Sequence, residues 1–138
     1  TYNSHPLGCA TALATIKVYE DEGLIENAAK MGEVMRGLHQ ELAAKHPSVG
    51  AVRNIGLFGI VELTRNRQTM EPMAPMTGSS PEMAALGKRF RDDGLYTFVR
   101  WHTFFTNPPL SVTEAELREA FAIIDQALEI TDRGVVGA

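Results

Sequence analysis

Arg100 is the residue of this chain best placed to do chemistry. It sits in Phe98-Val99-Arg100-Trp101-His102-Thr103-Phe104-Phe105, with no acidic neighbour in that stretch. A guanidinium can bind a carboxylate through two parallel hydrogen bonds. It can also lie flat on an aromatic ring. On the residues alone, stacking on Trp101 is the plainer reading. Trp101, Phe104 and Phe105 suit either a substrate pocket or a core, and His102 either a hydrogen bond to substrate or the surface. Thr1 offers a hydroxyl to a phosphate oxygen. An N-terminal threonine can also act as a nucleophile with its own amine as base. Nothing downstream supports that chemistry, and a frayed end is the plainer reading.

Other reactive side chains carry weaker signals. Lys17, Lys30, Lys45 and Lys88 fall in predicted helices, mostly at polar positions. A solvated lysine has a pKa near ~10.4 and is a poor amine nucleophile at neutral pH. His39 and His46 belong to a predicted helix and its end, without a third metal ligand. The single cysteine, Cys9, is expected to be buried and inert. Glycine-rich phosphate loops, nucleophile elbows and zinc spacings are absent from the sequence.

These residues must be held by a modest set of elements. Pro6 to Asp21 predicts a helix with proline in its first turn, Asn3 or Ser4 as cap, and Gly23 behind it. Gly8 to Ala14 is almost all small, so that helix is expected to be buried on more than one side. Leu24 to Lys45 predicts a second helix, with Ala28, Met31, Met35, Leu38 and Leu42 on one face. Val49–Arg53 and Leu57–Leu63 predict strands around an Asn54-Ile55-Gly56 turn. Gly59 inside the second strand suggests a bulge or a close approach.

Thr64 to Ser80 predicts a loop whose methionines, Met70, Met73 and Met76, pack onto the body. Ser80-Pro81-Glu82 opens a third helix, ending at Asp92-Asp93-Gly94. Leu95–Val99 predicts a strand and 100–107 an irregular aromatic stretch. Thr113-Glu114-Ala115-Glu116 is a capping box for a last helix carrying Leu117, Phe121, Ile124 and Leu128. The order is helix, helix, strand, strand, helix, strand, helix, an α+β arrangement with helices on one face of the sheet.

Composition bounds the function. The chain has 138 residues and is 44% hydrophobic, enough for one domain with a core. Net charge is −4 without a basic stripe, which argues against nucleic acid as a partner. No apolar run approaches the ~20 residues of a membrane span. The lone cysteine makes a reducing cytoplasm the default.

Two stretches carry a resemblance. Thr1-Tyr2-Asn3-Ser4-His5-Pro6, leading into the small-residue helix, resembles the segment that follows the cofactor lysine in class III, fold type I, pyridoxal-phosphate-dependent aminotransferases. Arg53 to Leu63 is similar to the R-x-x-G-L-x-x-x-x-E-L element of the small domain in that family. The resemblance runs in order through Arg100, Pro108-Pro109 and the last helix, with ω-amino acid, amine, taurine and 4-aminobutyrate enzymes among the relatives.

The resemblance implies the C-terminal part of a longer enzyme. Residues 1–23 would be a loop and interdomain linking helix. Residues 24–138 would form the small domain, a three- to four-stranded, mainly antiparallel sheet. It implies pyridoxal phosphate as cofactor, an N-terminal large domain of the same enzyme that supplies the lysine, and a homodimer. Thr1 would bind the cofactor phosphate of the other subunit. Arg100 would bind the carboxylate of a keto acid such as pyruvate, with Trp101 beside it. It further implies that this chain alone is inactive. The alternative is a stand-alone α+β interaction or ligand-binding module.

Overall fold

The computed structural model describes residues 3–136. Its elements are α1 (Pro6–Asp21), α2 (Leu24–Lys45), β1 (Val49–Ile55), β2 (Phe58–Asn66), β3 (Glu71–Pro72), α3 (Pro81–Asp92), β4 (Val99–Arg100), β5 (Thr103–Thr106) and α4 (Glu114–Asp132). The sheet is antiparallel throughout, in the order β1-β2-β5-β4, with β3 paired to the end of β2.

Local chemistry explains the helix bounds. Gly23 adopts φ 58°, a left-handed conformation that costs glycine little, and separates α1 from α2. Ser80 accepts a hydrogen bond from the Met83 N–H and Pro81 follows it in α3. Thr113 and Glu116 close a reciprocal capping box on α4. At α1 the cap is His5, whose Nδ1 accepts from the Leu7 N–H at 3.3 Å, rather than Asn3 or Ser4. Ser4 itself turns to φ 58°.

The expected face of α2 packs as its spacing requires. Met31, Met35, Leu38 and Leu42 are buried, joined by Gly32 and His39. Each large side chain removed from water contributes roughly 1.5–3 kcal/mol before entropy is counted. Val61 and Leu63 of β2 and Phe104 of β5 meet this layer. Phe90 of α3 sets its ring edge-on to Phe104 at 5.3 Å. Leu117, Phe121, Ile124 and Leu128 of α4 complete the core.

The sheet departs from expectation in identifiable places. The stretch 100–107 is not irregular: Thr103–Thr106 forms β5, next to β2 in the middle of the sheet. Conversely, of Leu95–Val99 only Val99 joins a ladder, and β4 runs on to Arg100. Leu95 instead serves the C-terminal turn of α3, its N–H donating to Phe90 O at 2.8 Å. The ladder of β1 reaches Ile55, so the turn falls at Gly56-Leu57, with Gly56 at φ 52°. The 64–80 segment contributes the end of β2 and the two-residue β3. Its methionines divide: Met73 is fully buried, while Met70 and Met76 are exposed.

The helix α1 also differs. No residue of it is buried. Leu7, Leu13 and Ile16 stand exposed, and Gly8 faces open space. Cys9 is exposed with them, not buried. The small-residue surface is therefore present but uncovered within this chain.

Close approach explains Gly59. A β-carbon there would lie 2.2 Å from Thr106 Oγ1 and 2.7 Å from the His39 ring. His39, on α2, shares a 2.9 Å hydrogen bond with Thr106 Oγ1 through Nε2, and its Nδ1 has no partner within hydrogen-bond distance. Burial pushes its imidazole down to about 4, with the Asn54 side chain opposing only in part.

A folded pKa below the unfolded value of ~6.5 means that the unfolded chain binds more protons between those limits. Stability is thus expected to fall as pH drops from about 6.5 toward 4, by about 3 kcal/mol in all from this residue. Denaturant midpoints at pH 7 and 4.5 check this. Wild type should lose about 2 kcal/mol more over that interval than His39→Gln, which has no proton to take up. Equal pH slopes would show that His39 is not the titrating group.

Candidate functional site

The alternation of side chains across β2, β5 and β4 creates two unlike faces. Val61, opposite Phe104, points to the helices, as does Val99, itself opposite Phe104. Ile60, opposite Phe105, and Glu62, opposite Thr103, point to the other side. Arg100, paired with Thr103, shares that helix-free side.

This outer face is apolar and bare. Ile55 is 79% exposed, Phe58 57% and Phe98 55%, far more than a finished monomer surface needs to leave together. Phe105 joins the rings of Phe58 and Phe98, with centroids 5.9 and 5.6 Å away.

Against these rings lies an open hollow of about 360 Å³, lined by Ile60, Glu62, Phe98, Arg100, Trp101 and Phe105, with His102, Thr103 and Met76 at its margins. Glu62 is the acid in it, and the Arg53 guanidinium pairs with that carboxylate from the neighbouring strand. Arg100 makes no ion pair among the described residues. Its Cζ sits 4.4 Å from the centroid of the Trp101 ring. The site thus presents an exposed, unpaired cation on an apolar wall. That is an arrangement for binding an acid group attached to a hydrophobic or short aliphatic body.

The structure gathers Arg100, Trp101 and Phe105 around one hollow and sends Phe104 to the core. His102 is half-buried, its Nδ1 buried without a partner. Thr1 lies outside the described residues, so the expectation of a phosphate ligand there stands apart from this geometry. Phe58 and Ile60 were not among the candidates, although strand alternation from Gly59 and Val61 would have placed them on the outer face.

The remaining reactive groups are engaged elsewhere. Lys17 pairs with Asp21, Lys88 with Asp92, and Lys45 with Asp125. Lys30 is exposed. His46 is buried between Asp125 and Asp132, at 3.0 and 2.7 Å from its two ring nitrogens, tying the end of α2 to α4. No group of metal-binding side chains occurs among the described residues. None of their helices is long and apolar enough to cross a membrane.

The family model described as Aminotransferase class-III matches residues 1–128. The chain belongs to the class-III aminotransferases. Over 140 residues it is 36% identical to a taurine–pyruvate aminotransferase of Bilophila wadsworthia, covering 96% of this chain and 30% of that protein. It is 31% identical to an ethanolamine-phosphate phospho-lyase homolog of Caenorhabditis elegans, over 96% of this chain and 28% of that one. The fold matches the taurine:2-oxoglutarate aminotransferase of Bifidobacterium kashiwanohense, solved with PLP and glutamate, at a TM-score of 0.87 and 28% identity. That match covers 96% of this chain and 30% of the other. The chain therefore spans less than a third of the length of these relatives.

Class-III aminotransferases and neighbours solved with the cofactor indicate pyridoxal phosphate. The described residues of this class-III chain do not by themselves fit it. A Schiff-base lysine must be desolvated to be a nucleophile at neutral pH. Every described lysine here is exposed. The group these residues do offer is the Arg100 guanidinium, which pairs with no carboxylate among the described residues.

Proposed function

We propose that this chain is the C-terminal part of an aminotransferase that moves an amino group between an amine or ω-amino acid and a keto acid such as pyruvate. The observation that carries the reading is Arg100. It is unpaired among the described residues and set on the bare sheet face of a chain that matches the class-III family. When bound, pyridoxal phosphate supplies the electron sink for the transfer. Arg100 binds and orients the substrate carboxylate. Phe98, Trp101 and Phe105 exclude water from the apolar remainder. Thr1 contributes a hydroxyl to the cofactor phosphate of a partner subunit, as the family resemblance implies, and the working form is a homodimer in the cytoplasm.

The uncovered α1 and outer sheet face support a large domain of the same enzyme as the missing neighbour, with residues 1–23 linking it to the small domain of 24–138. That domain brings the lysine, so the isolated chain is inactive. The phospho-lyase homolog among the relatives makes elimination the competing chemistry. The higher identity to a pyruvate-dependent aminotransferase favours transfer.

The test incubates the isolated chain and the full-length gene product, each with pyridoxal phosphate, taurine or another ω-amino donor, and pyruvate. Alanine should form with the full-length protein alone. Turnover by the isolated chain would overturn its predicted inactivity. A gene that encodes no lysine-bearing domain would favour a stand-alone binding module instead.

A further inference from the structure

The segment joining β3 to α3 carries an exposed turn held between two buried anchors. At its entry Met73 and Ala74 are buried, and the Met73 N–H donates to Leu63 O at 2.9 Å. At its exit Ser80 is buried and caps α3. Between them the chain reverses over Pro75-Met76-Thr77-Gly78, with the Gly78 N–H donating to Pro75 O at 3.1 Å. The turn is tight: a β-carbon on Gly78 would lie 3.3 Å from Pro75 Cγ. Anchors this close in sequence fix where the tip stands.

Met76 is at that tip, and its exposed side chain reaches the margin of the hollow that holds Arg100. Its two neighbours of the same type behave differently. Met73 fills the core, and Met70 is exposed without lining the hollow. The other apolar walls are rigid. Ile60 and Phe105 stand on β2 and β5, and Phe98 O accepts from the Phe105 N–H at 3.1 Å. Methionine is unbranched and soft, so it can fold over ligands of different shape.

We propose that Met76 is a specificity-determining residue whose side chain covers the apolar body of the amine donor and so limits the size of amine the hollow accepts. This rests on the reading of the hollow as the substrate site given above. A hollow of about 360 Å³ is at the small end of ligand sites. One thioether chain at its margin therefore decides whether a fused aromatic group finds room. A short aliphatic amine gains contact from that chain, and a bulky one must push it aside. Pyruvate, held by its carboxylate at Arg100, has only a methyl group to offer and gains little.

The experiment uses the full-length holoenzyme with pyruvate as acceptor and either sec-butylamine or naphthylethylamine as donor. Met76 is exposed, so its replacement leaves the core intact. Met76→Ala should lower kcat/KM for sec-butylamine about three- to tenfold, less than a fully enclosed pocket would exact. It should raise kcat/KM for naphthylethylamine by a similar factor and leave KM for pyruvate within about twofold. Met76→Leu, which restores apolar volume, should recover most of the sec-butylamine loss. An unmoved ratio between the two amines, or one factor shared by both amines and pyruvate, overturns the role of Met76. Arg100 stands as carboxylate ligand in that event if Arg100→Ala still acts on pyruvate alone. If Arg100→Ala instead affects pyruvate and the amines equally, the hollow is not the substrate site, and the role of Met76 falls with it.

Discussion

Arg100→Ala in the full-length enzyme is expected to raise KM for pyruvate by ten- to a hundredfold. KM for an amine without an acid group should change by less than about threefold. The magnitude follows from the bond lost. A hydrogen-bonded charge pair contributes about 1.5–3 kcal/mol, and 1.4 kcal/mol is a factor of ten. The asymmetry follows from position. Arg100 is exposed, lies on the outer face of the sheet, and supports no ion pair among the described residues. Its removal should therefore leave the core undisturbed. Arg100→Lys should recover only part of the loss, because an ammonium cannot meet both carboxylate oxygens in a fixed fork. Steady-state kinetics on the two half-reactions make the comparison. Equal losses on both substrates, or a matching fall in thermal stability, would assign Arg100 to structure instead.

A second large effect is expected in the core, at Gly32. A β-carbon at this position would lie 2.6 Å from Gly56 Cα and 2.8 Å from its carbonyl carbon. The obstacle is backbone, which cannot rotate aside. The same junction is tied by Asn54 Nδ2, which donates to Gly32 O and Gly56 O at 2.9 Å each. Gly32→Ala should therefore cost about 3 kcal/mol through overpacking, lowering Tm by roughly 10 °C. Intrinsic preference predicts the opposite sign, since alanine favours a helix interior over glycine by up to about 1 kcal/mol. Gly37 lies in the same helix with open space where its β-carbon would be. Gly37→Ala should accordingly raise stability. Two glycines of one helix responding with opposite signs would isolate the contact with Gly56 as the cause. Thermal or urea unfolding of each variant reads the result, and a stabilising Gly32→Ala would remove the argument.

Much of this architecture is legible in the sequence because local chemistry decides it. The bounds of α2 follow from Gly23 and Pro47, and its buried face from the spacing of Met31, Met35, Leu38 and Leu42. Ser80 and Thr113 start α3 and α4 through their own side chains. Where the outcome depends on distant partners, local reading falls short. Thr103-Phe104-Phe105-Thr106 is rich in strand formers, yet Pro108-Pro109 and the crowd of aromatic residues masked a strand that exists because β2 offers it an edge. Leu95–Val99 looked like a strand but finds a ladder partner only at its end. His39 falls four residues after Met35 on the buried face, a signal that periodicity carried and polarity obscured.

The site divides in the same manner. Arg100 stacked on Trp101 was visible from adjacency and chemistry, and the structure realises that stack. That it stands on the helix-free side required knowing that Arg100 pairs with Thr103. The contact between Gly32 and Gly56 had no local signature. The two residues are joined only once α2 has folded back over the hairpin.

The order of strands also has a consequence for how the molecule is made. The strand beside β2 at the middle of the sheet is β5, contributed by residues 103–106, although β1 and β2 are complete by residue 66. A nascent chain therefore passes through a long interval in which β2 is paired to β1 along one side and displays unsatisfied amides and carbonyls along the other. Such an edge recruits stray strands, and closing a large loop is slow compared with zipping a hairpin. Translation stalled ahead of Thr103 should yield a species that aggregates or calls on chaperones. Release of a few more codons should let the sheet seal.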